Sequence, residues 1–319
     1  MNVKAVFIGM LLASNLGMAE EISNLDWLKT AAFAGHQTNY SGVFIYQYAN
    51  HVDTSRITHV VETDTEYDKV ESLDGPNREI IRHHGQVWCY SNHKLVQLDS
   101  QSGQSRFPLL LSDKLSTLGE NYQFKILGVE RVAGYNTQVV LYQPKDNMRY
   151  AHKLWMHTDS GLLLKSAVLN DKGQVVEQYA FTQVKIGSDV DRSWVASVSP
   201  TTQVVRNKAA AVPSALAFNS GWVVDNLPRG FKKTMELLRP MHGKHAPVVQ
   251  LVFSDGLSAI SVFIEPADAD EDDALEGFSS RGAVNLYHKV VEKSLYNVVG
   301  EAPPMVIMQV LNSIRFNGK

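Results

Sequence analysis

Cysteine is almost missing from this chain. Cys89 is the only one among 319 residues, so no intramolecular disulfide can form. The fold must therefore be held by its own apolar core. Within Trp88-Cys89-Tyr90, Cys89 reads as a small apolar strand residue, with a disulfide between two copies or a reactive thiol as the sharper alternatives. After residue 19 there is no apolar run long enough for a membrane helix. Excess positive charge is missing too: 30 Lys and Arg stand against 33 Asp and Glu, a net charge of −3. A mildly acidic chain with interspersed charges is a poor nucleic-acid binder.

Catalytic signatures are equally scarce. The chain has no Gly-x-Ser-x-Gly elbow, phosphate loop, Gly-x-Gly-x-x-Gly or His-Glu-x-x-His. A Cys-His hydrolase would have only Cys89, with no local signature around it. Three metal-like patterns fall short. His242 and His245 lie in a Gly/Pro-bounded loop with no third ligand nearby. His83 and His84 are adjacent at a strand end, which points them to opposite faces. Asp268-x-Asp270-x-Asp272 copies three calcium-loop positions, but Asp273 stands where Gly is needed and Ser279 where a bidentate Glu is needed. Residues 268–276 read as a solvated acidic loop. No metal, no cofactor and no enzymatic activity are expected.

What is present begins with an export signal. Lys4 precedes an apolar stretch from Ala5 to Ala13, and Gly17-Met18-Ala19 supplies the small residues of a cleavage site before Glu20. No Cys follows that site, which argues against a lipoprotein. The mature protein is expected outside the cytoplasm. Ile22 to Gln37 then reads as an amphipathic helix, with Ile22, Leu25, Leu28 and Ala32 on one face. From Tyr40 to about Ile186, aromatic and β-branched segments alternate with turn signals such as Gly75-Pro76, Ser160-Gly161 and Asn170-Asp171-Lys172-Gly173. That spacing predicts an antiparallel meander. A short helix is expected near Ser112 to Leu118.

In Val43 to Tyr48 both strand faces are largely apolar. Such a sheet is either covered by helices on both sides or curved around an apolar cavity. Ser197 to Asn219, with Ala209-Ala210-Ala211-Val212-Pro213, reads as a linker. Beyond it, Val248 to Phe253 and Leu257 to Glu265 form a hairpin around Ser254-Asp255-Gly256. Val284 to Val291 and Leu295 to Val299 are further strands, and Pro303-Pro304 opens a helix over Met305 to Ile314. The fold class is α+β, mainly antiparallel β. The division is a leader at 1–19, a large domain at 20–197, a linker at 198–219 and a smaller domain at 220–319. An exported chain without catalytic residues points to a binding protein.

Several segments, in order along the whole mature chain, are similar to one family. They are Tyr40-Ser41-Gly42-Val43-Phe44-Ile45-Tyr46, Leu73-Asp74-Gly75-Pro76-Asn77-Arg78-Glu79-Ile80 and Gly128-Val129-Glu130-Arg131-Val132-Ala133-Gly134-Tyr135. They continue with His152-Lys153-Leu154-Trp155, Gly161 to Ser166, Phe253 to Glu265 and Val298-Val299-Gly300-Glu301-Ala302-Pro303-Pro304. Together they resemble the RseB/MucB family, periplasmic regulators of the envelope-stress sigma factor in Gram-negative bacteria. The resemblance implies a large domain like the lipoprotein carriers LolA and LolB, a curved, unclosed antiparallel sheet with covering helices. It implies a smaller α+β domain after the linker. It implies binding to the periplasmic part of a membrane-spanning anti-sigma factor of the RseA/MucA type, shielding from proteolysis, and release by lipid such as lipopolysaccharide. Homo-oligomerisation stays open.

For a lipid cavity the candidates are Phe44, Tyr46, Tyr48, Trp88 and Trp155, each of which plain core packing would also explain. For the partner surface they are Arg229, Asp255 and Gly256, although a turn by itself accounts for an Asp-Gly pair. The alternative is a lipid or lipoprotein carrier, against which the second domain argues.

Overall fold

The computed structural model describes residues 33–63, 65–83, 86–91, 94–98, 107–108, 118–195, 218–239, 246–267 and 276–318. The first unit is one sheet of eleven antiparallel strands. They are β1 (Tyr40–Tyr48), β2 (His51–Glu62), β3 (Thr65–Ser72), β4 (Arg78–His83), β5 (Gln86–Ser91), β6 (Lys94–Leu98), β7 (Tyr122–Val132), β8 (Tyr135–Pro144), β9 (Ala151–His157), β10 (Leu163–Leu169) and β11 (Val175–Ile186). The spatial order β6-β5-β4-β3-β2-β1-β11-β10-β9-β8-β7 makes two meanders joined by the pairing of the first and last strands. One helical turn, α1 (Leu118–Asn121), leads into β7. The end strands β6 and β7 do not pair, so the sheet is unclosed.

It is nonetheless strongly curled. A flat sheet would hold β7 and β11, four strands apart, at about 19 Å, since strands are spaced about 4.8 Å. Instead β7 touches β11. The concave side carries the larger core, with Tyr40, Phe44, Ile57, Phe107, Tyr142, Leu154, Met156 and Phe181 all buried.

The second unit has a six-stranded antiparallel sheet in the order β13-β14-β15-β18-β17-β16. Its strands are β13 (Lys232–Arg239), β14 (Val248–Ser254), β15 (Ala259–Pro266), β16 (Glu276–Arg281), β17 (Val284–Val291) and β18 (Ser294–Gly300). A two-stranded ribbon pairs β12 (Trp222–Val224) with β19 (Ile314–Phe316). Helix α2 (Pro304–Leu311) starts on Pro303-Pro304 and buries Val306, Ile307, Val310 and Leu311 against the sheet.

The expected strands at 40–48, 248–253, 284–291 and 295–299 are present, as is the hairpin around Asp255. The last helix stops earlier than its sequence suggests: Asn312 caps it, and Ile314 is drawn into pairing with Val224. Leu118–Asn121 is helical and includes the last residue of the expected short helix, while residues 111–117 lie outside the described ones. Of the helix expected at 22–37, residues 33–37 are described and helical. The export signal, residues 198–217 of the expected linker, His84, His242, His245 and residues 268–275 of the expected acidic loop also lie outside the described residues.

Candidate functional site: the concave face and its closed end

Strand register sorts the candidate aromatics onto two faces, because directly paired residues of antiparallel strands point the same way. Phe44, Tyr46 and Tyr48 pair with Phe181, Tyr179 and Glu177, on the concave side. Their rings form a continuous ladder. Tyr46 stacks on Tyr179 at 4.4 Å, Tyr179 on Phe107 at 5.4 Å, and Phe107 lies 5.3 Å from Phe44. Trp155 pairs with Lys165, Lys165 with Ala180 and Ala180 with Ile45, which places it on the convex face. The same tracing through Ile81, Lys69, Thr58 and Ser41 puts Trp88 there too. Cys89, a free thiol and partly buried, falls on the concave side with Ile80 and Val70.

The convex-face Trp155 has its own setting. Its indole N–H donates to Glu130 at 2.7 Å, and the Lys153 and Lys165 amino groups each lie 4.6 Å from the ring centroid. That hydrogen bond is the largest reason the Glu130 carboxyl is held below its usual range. The ring is buried and shields Val139, its cross-strand partner.

One end of the concave face is closed by the second unit. The contacts run across the sheet from β2 to β7 and fall into two groups. In the first, Arg149 and Asp255 have fully buried side chains and pair at 2.6 Å, Arg149 Nε donating to Asp255 Oδ2. The Tyr122 hydroxyl donates to the same oxygen at 3.1 Å. Arg149 also donates to Asp146 and to the Arg229 carbonyl, and its guanidinium lies 5.1 Å from the Phe231 ring. The other Asp255 oxygen accepts the Leu257 and Ser258 N–H groups, which fixes the hairpin turn. Gly230 completes this side. Its φ is +88°, and a Cβ there would lie 2.3 Å from the Asn121 side chain.

In the second group, the two-residue turn between β16 and β17 rests on the aromatic ladder. Arg281 lies 5.3 Å from the Tyr48 ring and 6.0 Å from the Tyr46 ring, and pairs with Asp53 at 3.3 Å. The next residue, Gly282, has φ +61°, as the first position of a type II′ turn requires. A Cβ on it would collide with Glu177 Oε2 at 2.2 Å and the Tyr46 hydroxyl at 2.7 Å. The Ala283 N–H and the Tyr46 O–H both donate to Glu177 Oε2 at 2.9 Å. Burial raises the Glu177 carboxyl above its usual range, and these donors oppose the rise. Between the two groups, the Asn285 amide donates to the Tyr150 hydroxyl at 3.0 Å.

The three residues offered for a partner surface therefore gather at this junction. Asp255 is buried against Arg149 and Tyr122, the Arg229 carbonyl receives Arg149, and Gly256 takes the left-handed conformation of the turn, with φ +101°. Sequence reasoning misses Arg149, Tyr122, Glu177, Arg281 and Asn285. Gly282, next to Arg281, is a turn residue and the one local signal that could have pointed to this junction. Among the described residues no three His, Cys, Asp or Glu side chains converge to hold a metal. His152, buried beside Tyr142 on the concave face, is pushed down to about 4 by that burial, so its ring is neutral at pH 7.

Residues 23–199 match the family model of the MucB/RseB N-terminal domain, and residues 217–315 match that of the MucB/RseB C-terminal domain. This chain belongs to the MucB/RseB family. It is 33% identical to the sigma factor AlgU regulatory protein MucB of Pseudomonas aeruginosa, over 97% of this chain and 96% of that one. It is 25% identical to the sigma-E factor regulatory protein RseB of Haemophilus influenzae, over 96% and 95%. A crystal structure of MucB in complex with MucA(peri) matches 92% of this chain and 99% of its own, with a TM-score of 0.72 and 29% identity. Both units of this MucB/RseB chain, not the first alone, are thus shared with a MucB captured on its partner.

Proposed function

We propose that this protein is an exported, periplasmic negative regulator of an envelope-stress sigma factor. It binds the periplasmic region of a transmembrane anti-sigma factor of the MucA/RseA type and shields it from regulated proteolysis. It acts by binding rather than catalysis, and its working parts are domains at 20–197 and 220–319. The observation that carries this reading is the full-length likeness to a MucB whose structure was solved with MucA(peri).

A lipid or lipopolysaccharide acyl chain on the concave face is the releasing signal in this reading, with Phe44, Tyr46 and Tyr48 as its contacts. Trp88 and Trp155, on the other side of the sheet, drop out of that contact set. Burying an acyl chain is worth about 0.8 kcal/mol per CH₂. Lipid lowers partner affinity only by its preference for the unbound conformation. About 1.4 kcal/mol of preference changes affinity tenfold, so a few methylenes suffice.

Calorimetric titration of the mature protein with the periplasmic segment of the anti-sigma factor tests the reading. Saturable binding near one to one supports it. Absence of binding by folded protein would reject it and leave lipid carriage as the function to test. Repeating the titration at saturating lipopolysaccharide separates the two parts: unchanged affinity would remove the lipid switch and leave the regulator.

A further inference from the structure

The two groups of contacts that close the concave face are built differently. The Arg149–Asp255 pair is wholly buried, with a third donor from Tyr122 and a cation–π face from Phe231. Opening it would place two charges in a poorly solvated interior before water could reach them. The Arg281 contact lies at the rim. The Arg281 side chain is 64% exposed and the Asp53 side chain 37%, so water already solvates the pair. Strand β16, which carries this turn, is the end strand of its sheet and is exposed along most of its length. Buried there are the carboxylate of Glu177, held by one hydroxyl and one backbone N–H, and the small side chain of Ala283.

We infer that Arg149–Asp255–Tyr122 is a fixed pivot, and that the Arg281-Gly282-Ala283 turn is a releasable clasp in a receptor made of Tyr46, Tyr48, Asp53 and Glu177. The second unit then opens from one side only. Opening swings the turn off the ladder and uncovers Tyr46, Tyr48 and Glu177 while the β7–β8 side stays closed. The receptor is selective. It takes a cation over two tyrosines, then a residue with no Cβ, then a backbone N–H aimed at a carboxylate. The chain supplies that sequence to itself. This goes beyond the regulatory reading and does not depend on it, because it concerns the free protein.

The Ala283 N–H donates across the junction and has no strand partner, so it exchanges with solvent only when the clasp opens. The Arg149 Nε–H donates across the pivot and reports on that side. Hydrogen exchange of both, followed by NMR on the full mature chain, tests the inference. After correction for intrinsic rates, Ala283 is expected to exchange at least tenfold faster than Arg149. Arg281→Ala, a surface change, should speed Ala283 at least threefold and leave Arg149 as it was. Gly282→Ala should do the same more strongly. Equal protection of the two protons, acceleration of both together, or acceleration of neither in these variants would overturn the proposal. The junction would then be a single rigid contact.

Discussion

Two groups of contacts, with the Asn285–Tyr150 bond between them, hold the second unit on the first, and they use the same chemistry in opposite settings. At the pivot, an arginine and an aspartate are stripped of water and each finds further partners: Arg149 reaches Asp146 and the Arg229 carbonyl, and Asp255 receives Tyr122 and two turn N–H groups. At the clasp, an arginine and an aspartate remain wet, and the buried partner is a carboxylate without a cation on it. A buried ion pair costs a great deal to form and more to break by halves. An exposed pair contributes little and is easily exchanged. One junction thus combines permanence at one edge with reversibility at the other.

The largest effect should come from halving the pivot. Asp255→Ala leaves the buried guanidinium with only the partly exposed Asp146 as its anion, and Arg149→Ala strands a buried carboxylate. Either should cost about 3–5 kcal/mol, the usual loss when one partner of a buried pair is removed. Thermal unfolding of the two variants checks this. The double variant Arg149→Leu with Asp255→Leu should be more stable than either single one, because no charge is left unpaired. A double variant as unstable as the sum of the singles would show that the turn bonds of Asp255, not the ion pair, carry the contact.

Next comes Gly282→Ala at the clasp. A left-handed residue with a Cβ costs about 1–2 kcal/mol, and losing the bond to a buried carboxylate adds about 1.5–3 kcal/mol. The strain falls partly on the hairpin itself, but the lost bond falls on closure. Small-angle scattering should show a larger radius of gyration for this variant, while circular dichroism shows both units still folded.

How much of this was legible beforehand follows from the range of each interaction. The β1 strand, the hairpin at Asp255 and the helix at Pro303-Pro304 are set by near neighbours, and their residues announce them. Strand β13, Lys-Lys-Thr-Met-Glu-Leu-Leu-Arg, has a helix former's composition and becomes a strand only by pairing with β14. Strand β16 is too polar to be seen and exists through its pairing with β17. Asp255 was noticed for its turn, yet its partner Arg149 lies 106 residues away, as does Ala283 from Glu177. Nothing local marks such pairs. Likewise, alternation within a strand shows that Trp155 and Phe44 each face one side, but only register across three strand pairings shows that the sides differ.

The clasp also carries a pH dependence. Burial, with the Glu177 charge second, pushes the Glu301 carboxyl up to about 7 from an ordinary 4.5. Glu177 itself, on β11, meets the Tyr46 hydroxyl of β1 and the Ala283 N–H, with Arg281 as the nearby cation and Asp53 of β2 competing for it. A carboxyl raised in the closed form binds its proton more tightly there. Its contribution to closure is therefore full below about 4.5 and fades as the pH climbs to about 7. Each tenfold loss of its proton affinity on opening is worth about 1.4 kcal/mol. Ala283 protection, corrected for intrinsic rates, should fall between pH 5 and 7.5, and Glu301→Gln should flatten that fall. A wild-type profile already flat over this range would mean that Glu301 keeps its proton affinity after opening.

The smallest effect belongs to Arg281→Ala, and it is the sharpest comparison with Asp255→Ala. Arg281 contributes a solvated ion pair, worth about 0–1 kcal/mol, and an exposed cation–π contact, worth about 0.5–1 kcal/mol. The unfolding midpoint should hardly move, because neither core loses a packed residue. Salt should mimic the ion-pair part: raising ionic strength screens Asp53 from Arg281 but not Asp255 from Arg149. In the wild type, then, Ala283 exchange should quicken with added salt while Arg149 exchange stays constant, and in Arg281→Ala most of the salt sensitivity should be gone. If salt left Ala283 untouched, the hold of the clasp would reside in Glu177 alone, and the arginine would be a bystander over the tyrosines.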